Sequence, residues 1–279
     1  MNHKLIYTII LFILLSTEVV ISQTKKENLL IVNYQVNYNT NSFIEKNAQL
    51  VFNSTQNNSY YIEFEDENMN TDNISVDEFG ITTERIIIDS KLLVKINFID
   101  YNKKKIYSTE TISFDNRFFK VNENLDQLKW NIEYNETNKI GNYLCKKATI
   151  NFRGRNYIAW YTDKIPISSG PWKFRGLPGL ILEIYDETLK YEWVATKINK
   201  ENISELIIKT PITDIIKEKD FIDISLKDYV ILKDSLFYSK FKNIDKKIKS
   251  RQERGVISEV KVNYNRLGKE LIYEWEKEN

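Results

Sequence analysis

Between Leu29 and about Ile198 the apolar residues return every second position instead of every third or fourth. A period of two puts successive side chains on opposite faces of a pleated strand, so this stretch is confined to β-structure with one buried and one wet face. Val32, Tyr34, Val36 and Tyr38 alternate with Asn33, Gln35, Asn37 and Asn39. Tyr60-Ile62-Phe64, Leu92-Val94-Ile96-Phe98 and Leu128-Trp130-Ile132-Tyr134 repeat the pattern, as do the shorter Tyr157-Ala159-Tyr161 and Tyr191-Trp193-Ala195. Turn formers such as Asp100-Tyr101-Asn102 and Arg153-Gly154-Arg155 separate them, which predicts hairpins and antiparallel pairing. The expected fold class is mainly β (β-rich α+β), a twisted and strongly curved antiparallel sheet forming either a partial barrel or a sandwich.

The period changes after Pro211. Ser225 followed by Asp228 resembles a capping box, and Leu226, Tyr229, Val230, Phe237, Phe241, Ile244 and Ile248 recur at helical spacing up to Gly255. One or two amphipathic helices are therefore expected over about 212–255, covering a face or mouth of the sheet. A last strand, Val260-Val262-Tyr264, and an aromatic tail with Tyr273 and Trp275 would follow. No linker rich in Pro, Gly or Ser and no internal repeat interrupts the chain, so residues 23–279 are expected to form a single domain.

Residues 1–22 have the form of a secretory signal peptide: Lys4, an apolar run from Leu5 to Leu15, and a Val20-x-Ser22 site before Gln23. The run is shorter than the roughly 20 residues that span a bilayer, so cleavage after Ser22 is expected over anchoring, with no transmembrane span afterwards. Export would place the protein in the periplasm, at the outer membrane or outside the cell. The 279 residues include one His and one Cys. His3 leaves with the signal peptide, and a mature chain without histidine has no Ser-His-Asp or Cys-His catalysis and no His-ligated metal. Cys145, alone, forms no internal disulfide, and its neighbours Tyr143, Leu144 and Ala148 suggest an inert thiol on a half-buried strand. The net charge of +1 is unchanged by removing Lys4 and Glu18, so no global field draws the protein to nucleic acid.

Special backbone geometry is concentrated in one segment. Of eight Gly and four Pro, Gly141, Gly154, Gly170, Gly176, Gly179, Pro166, Pro171 and Pro178 all fall between 141 and 179. A strand leads into a loop with turns at Gly170-Pro171 and Pro178-Gly179, and the chain leaves as a strand. Pro178-Gly179 suits a type II turn, with Gly taking the positive φ. The spacing is no phosphate loop, because no Gly-Lys-Ser/Thr follows.

The run Gly176-Leu177-Pro178-Gly179-Leu180-Ile181, preceded by Ile165-Pro166, Gly170-Pro171 and the Tyr157–Tyr161 strand, resembles the GLPGLI family of exported proteins from Bacteroidetes. The resemblance covers roughly Trp130 to Trp193, and the layout of signal peptide, β-rich body and central motif matches the whole chain. It implies an envelope or extracellular location and brings no catalytic residues, because the family is uncharacterised.

Two readings of the loop follow. Trp172, Phe174 and Arg175 could form a binding surface, since aromatic and Arg groups anchor interfaces. Alternatively Gly and Pro shape a difficult crossover while Leu177, Leu180 and Leu182 fill the core. Hydrolysis without histidine would need carboxylates, for which Asp163 and Glu183 flank the loop. Asp66-Glu67 and Asp72-Asn73 are acidic but lack the EF-hand pattern, so neither a metal nor a cofactor is expected. The basic stretch Lys240–Arg254 reads as the wet face of a helix, and it lacks the interleaved aromatics of a single-strand binder. The leading expectation is a non-catalytic binding or accessory module for a peptide, a lipid or an envelope protein. A carboxylate hydrolase and an envelope scaffold are the alternatives.

Overall fold

The computed structural model describes residues 27–40, 43–64, 74–76, 82–84, 95–112, 115–203, 220–253, 266 and 268–277. The expected signal peptide, Leu92–Val94, the acidic residues 66–67 and 72–73, and the strand expected at 260–264 lie outside them. The strands are β1 (Glu27–Asn39), β2 (Phe43–Asn53), β3 (Asn58–Glu63), β4 (Ile74–Val76), β5 (Thr82–Glu84), β6 (Lys95–Asp100) and β7 (Lys105–Ile112). They continue with β8 (Asp115–Asn124), β9 (Thr137–Ile140), β10 (Tyr143–Phe152), β11 (Arg155–Thr162), β12 (Leu180–Asp186), β13 (Tyr191–Ile203) and β14 (Phe221–Ser225). Helix α1 spans Leu226–Glu253.

Twelve strands form one open, curved sheet in the order β14-β8-β7-β6-β3-β2-β1-β13-β12-β11-β10-β9, and β4 pairs with β5 apart from it. The β-rich class holds, and the sheet does not close into a barrel. It is mixed, because β14 runs parallel to β8 (Phe221 opposite Phe118) while the other pairs are antiparallel. The 13-residue strands β1 and β13 pair along their length at its centre.

The main core lies on the face carrying Leu30, Val32, Tyr34 and Val36 of β1, with Leu50, Tyr157, Ile184 and Trp193 from neighbouring strands. This is the alternation read from the sequence. At the start of β1 both faces are buried, because Leu29 and Ile31 pack with Val51 on the other side. Leu128–Tyr134 forms no strand. Only Asn131 bridges Thr149, beyond the Tyr143–Lys146 stretch of β10 that pairs with β9, and Ile132 is left exposed. The β10–β11 hairpin turns on Arg153 (φ 47°) and Gly154 (φ 83°), two positive values in succession, as a tight type I′ connection requires.

Within the expected helical stretch Phe221–Ser225 is strand and the described helix begins at Leu226, while residues 212–219 lie outside the described residues. Ser225 Oγ accepts the Asp228 N–H at 3.1 Å, which is the expected N-cap. Leu226, Tyr229 and Val230 then cover Ile112, Phe119 and Val121 at one end of the sheet, joined by Tyr273 of the tail. Lys240, Lys242 and Lys246 are exposed on α1, as a wet face should be. No helix among the described residues is long and apolar enough to cross a membrane.

Cys145 is fully buried in β10, and burial pushes its thiol up to about 11. The native protein is therefore expected to resist iodoacetamide at pH 8 while guanidinium-unfolded protein is labelled completely, as mass spectrometry would record. Comparable native labelling would contradict the placement.

Candidate functional site

Residues 163–179 leave β11 and fold back across the core face of the sheet before entering β12. Leu180 N donates to Ile165 O at 3.0 Å and Ile181 N to Ser169 O at 3.0 Å, so the loop is tied to its own exit strand. Ile165, Trp172, Phe174 and Leu177 thereby join the core. Phe174 sits in a nest of rings, with centroids 4.7 Å from Tyr157, 5.2 Å from Trp172, 5.8 Å from Phe152 and 5.8 Å from Trp193.

Gly179 does not have the positive φ of a type II turn. Its requirement is steric: a Cβ there would lie 2.1 Å from the Thr162 carbonyl oxygen. Gly176 (φ +93°) does use the left-handed region. So does Trp172, at φ 53°, a conformation that costs a bulky residue on the order of 1–3 kcal/mol and that the surrounding packing must hold.

Trp172, Phe174 and Arg175 do not form an exposed binding surface; their exposures are 4%, 0% and 7%. The loop lies on the sheet and turns these side chains inward. Arg175 donates to the carbonyls of Lys173 (2.7 Å) and Asp126 (2.5 Å), and its own carbonyl accepts from Trp130 Nε1 (2.7 Å), so it fastens the 125–136 segment over the loop. Burial of Leu177, Leu180 and Leu182 matches the core-filling reading. Asp163 is exposed and ion-paired with Lys146 at 2.7 Å. Glu183 lies opposite Val194 and faces away from Leu182 and Ile184, with its acidity weakened by partial burial and by Glu192. The structure does not bring these two carboxyls together as a catalytic pair. Among the described residues no cluster of three or more His, Cys, Asp or Glu is placed to hold a metal ion.

Charges that the sequence gives no reason to group meet beside the loop. Lys173 Nζ lies 2.5 Å from Glu123 and 3.1 Å from Glu270; Arg153 pairs with Glu123 at 2.6 Å, with Glu270, and with Glu274 at 3.0 Å. Burial alone would raise the Glu270 carboxyl, but the Lys173 and Arg153 charges outweigh it and hold it down at about 2. This network clamps the tail to the hairpin, where Leu271 N and Ile272 N both reach Arg153 O. One residue earlier, Lys269 Nζ lies 2.9 Å from Glu63 Oε1 and 2.9 Å from Tyr38 Oη. The Tyr38, Trp172 and Trp193 rings surround that ammonium at 5.1, 5.0 and 5.6 Å.

Above Lys269 opens a cleft of about 250 Å³. Trp172, Tyr191 and Tyr273 contribute rings to its walls, and Lys95, Lys233 and Glu110 contribute charge. Sequence reasoning missed Lys269, Glu63, Glu123, Arg153 and Glu270 because they are far apart in the chain, Glu63 and Lys269 by 206 positions. The available signal was Glu63 lying between the apolar residues Ile62 and Phe64, and Lys173 between Trp172 and Phe174.

The model of a family described as a protein of unknown function (Porph_ging) matches residues 151–183. That segment holds the hairpin turn, β11, the loop and the first four residues of β12. No curated protein matches the chain. Two solved structures, PNGF-II in space group C2 and in space group P21, align at TM-score 0.48 each with 16% and 18% identity. The alignments cover 74% of this chain but 32% and 33% of those chains, so this chain spans about a third of their length.

Proposed function

We propose that this protein is an exported, non-catalytic binding module of the GLPGLI type in a bacterial envelope, and that the cleft above Lys269 takes a small anionic ligand or the acidic end of a peptide partner. The observation that carries the reading is the charge arrangement. Of the acids lining the cleft, Glu63 is paired with Lys269, and Glu270 with Lys173 and Arg153 outside the lining. Lys95 and Lys233 of its lining are exposed, and with only the partly buried Glu110 beside them they leave the open part of the cleft with one surplus positive charge. Rings in the walls add apolar area, but a lining this charged favours a polar ligand over a lipid. A non-catalytic role is favoured over hydrolysis because Asp163 is ion-paired at the surface and Glu183 turns to the opposite face.

Calorimetric titration with succinate and with acetyl-Glu-Glu tests the proposal. Binding is expected, and the double charge reversal Lys95→Glu/Lys233→Glu should weaken it roughly tenfold or more, about 1.4 kcal/mol, without altering the melting temperature. No binding, or equal binding by the variant, would refute it.

A further inference from the structure

Lys269 is placed to do more than anchor the tail. Its side chain keeps 17% exposure and lines the cleft, while two proton-handling groups, Tyr38 Oη and Glu63 Oε1, each stand 2.9 Å from its Nζ. Glu63 is 1% exposed, and its Oε2 is buried without a hydrogen-bond partner, so one oxygen is open to a proton; burial favours its protonation, and the Lys269 ammonium and the Tyr38 and Lys269 hydrogen bonds hold the carboxyl below its ordinary range until that ammonium is neutralised. Burial loosens the amine's hold on its proton more than the Glu63 charge tightens it. Burial and the same carboxylate keep the Tyr38 phenol protonated.

We infer that Lys269 captures a small anionic aldehyde or 2-oxo acid as an imine. This rests on the reading of the cleft as an anionic-ligand site, with Lys95 and Lys233 facing the ligand's carboxylate. In the first step the Lys269 ammonium gives a proton to Glu63, and the free lone pair forms the N–C bond as the carbonyl π pair moves onto oxygen. A proton then passes from nitrogen to that oxygen through the Tyr38 hydroxyl, which gives one proton and takes another. Glu63 returns its proton to the new hydroxyl, the C–O bond breaks, and water leaves. The nitrogen lone pair closes the C=N bond, so an iminium faces the restored Glu63 carboxylate. One ammonium and one carbonyl become one iminium and one water, with no oxidant or reductant.

The test treats the full chain with limiting glyoxylate and cyanoborohydride at neutral pH and maps the reduced adducts by peptide mass spectrometry. Lys269 is expected to be modified about tenfold or more faster than the exposed Lys95 and Lys233, with the preference lost in guanidinium. Tyr38→Phe should slow that labelling about tenfold at an unchanged melting temperature. Modification of Lys269 no faster than of the exposed lysines overturns the inference, and an unchanged rate in Tyr38→Phe overturns the proton relay. Glycolate, which has the carboxylate but no carbonyl, separates the two readings. If glycolate binds and Lys269 stays unmodified, only the imine fails; if neither happens, the anionic cleft fails with it.

Discussion

Gly179→Ala should destabilise the protein by about 3 kcal/mol or more, lowering the melting temperature by roughly 10 °C. The new Cβ would lie 2.1 Å from the Thr162 carbonyl oxygen and 2.7 Å from its carbon. Both are backbone atoms of β11, so no side-chain rotation relieves the clash. The loop exit must move, and with it the Ile181–Ser169 and Leu180–Ile165 hydrogen bonds that hold the loop down. Gly170→Ala is the comparison, because its Cβ would meet the buried Ile181 side chain at 2.8 Å, a milder overlap than the 2.1 Å approach to a backbone carbonyl at 179. Thermal melts of the two variants should show the larger loss at 179. A loss at 179 no greater than at 170 would mean that β11 and β12 approach less closely than described.

Arg153→Met is expected to cost about 3–5 kcal/mol, since it leaves Glu123 and Glu270 buried with only Lys173 as a counter-charge. The exposed Lys146–Asp163 pair serves as the control, and Lys146→Met should leave stability unchanged within error. The network also sets a pH dependence. Glu270 is held down at about 2 against an ordinary 4.5, so its contribution is complete above about 4.5 and is lost as the pH falls toward 2. Denaturant unfolding across that window should show stability declining with acid in the native sequence, and a flatter acid limb in Arg153→Met. A native stability independent of pH there would rule out the pairing.

Much of the sheet was legible because strand side chains obey a local rule. The alternation from Val32 to Val36 and the Arg153-Gly154 turn depend on residues within a few positions of one another, and both appear as read. The Ser225 cap is local in the same way. Leu128–Tyr134 carries the same alternation and is not a strand, because a strand needs a continuous ladder and this segment meets β10 only at the Asn131–Thr149 bridge. The density of Gly and Pro located the segment of unusual backbone but not the reason for each residue. At Gly179 the reason is the approach of β11, which no turn rule contains.

By itself the sequence determined that this chain is β-rich, that a helix is capped at Ser225, and that the Pro/Gly loop lies between two strands, because each follows from periodicity and nearest-neighbour chemistry. Only the tertiary structure decided which way the loop faces. Once it folds onto the sheet, Trp172, Phe174 and Arg175 are drawn inward, and the charges that surround the cleft arrive from strand, hairpin, loop and tail. A lone Lys or Glu in a sequence reads as solvated, because burying it unpaired would be prohibitive. What makes burial of Lys269 tolerable is Glu63, 206 positions away, and that pairing exists only when the curved sheet brings β3 and the tail together.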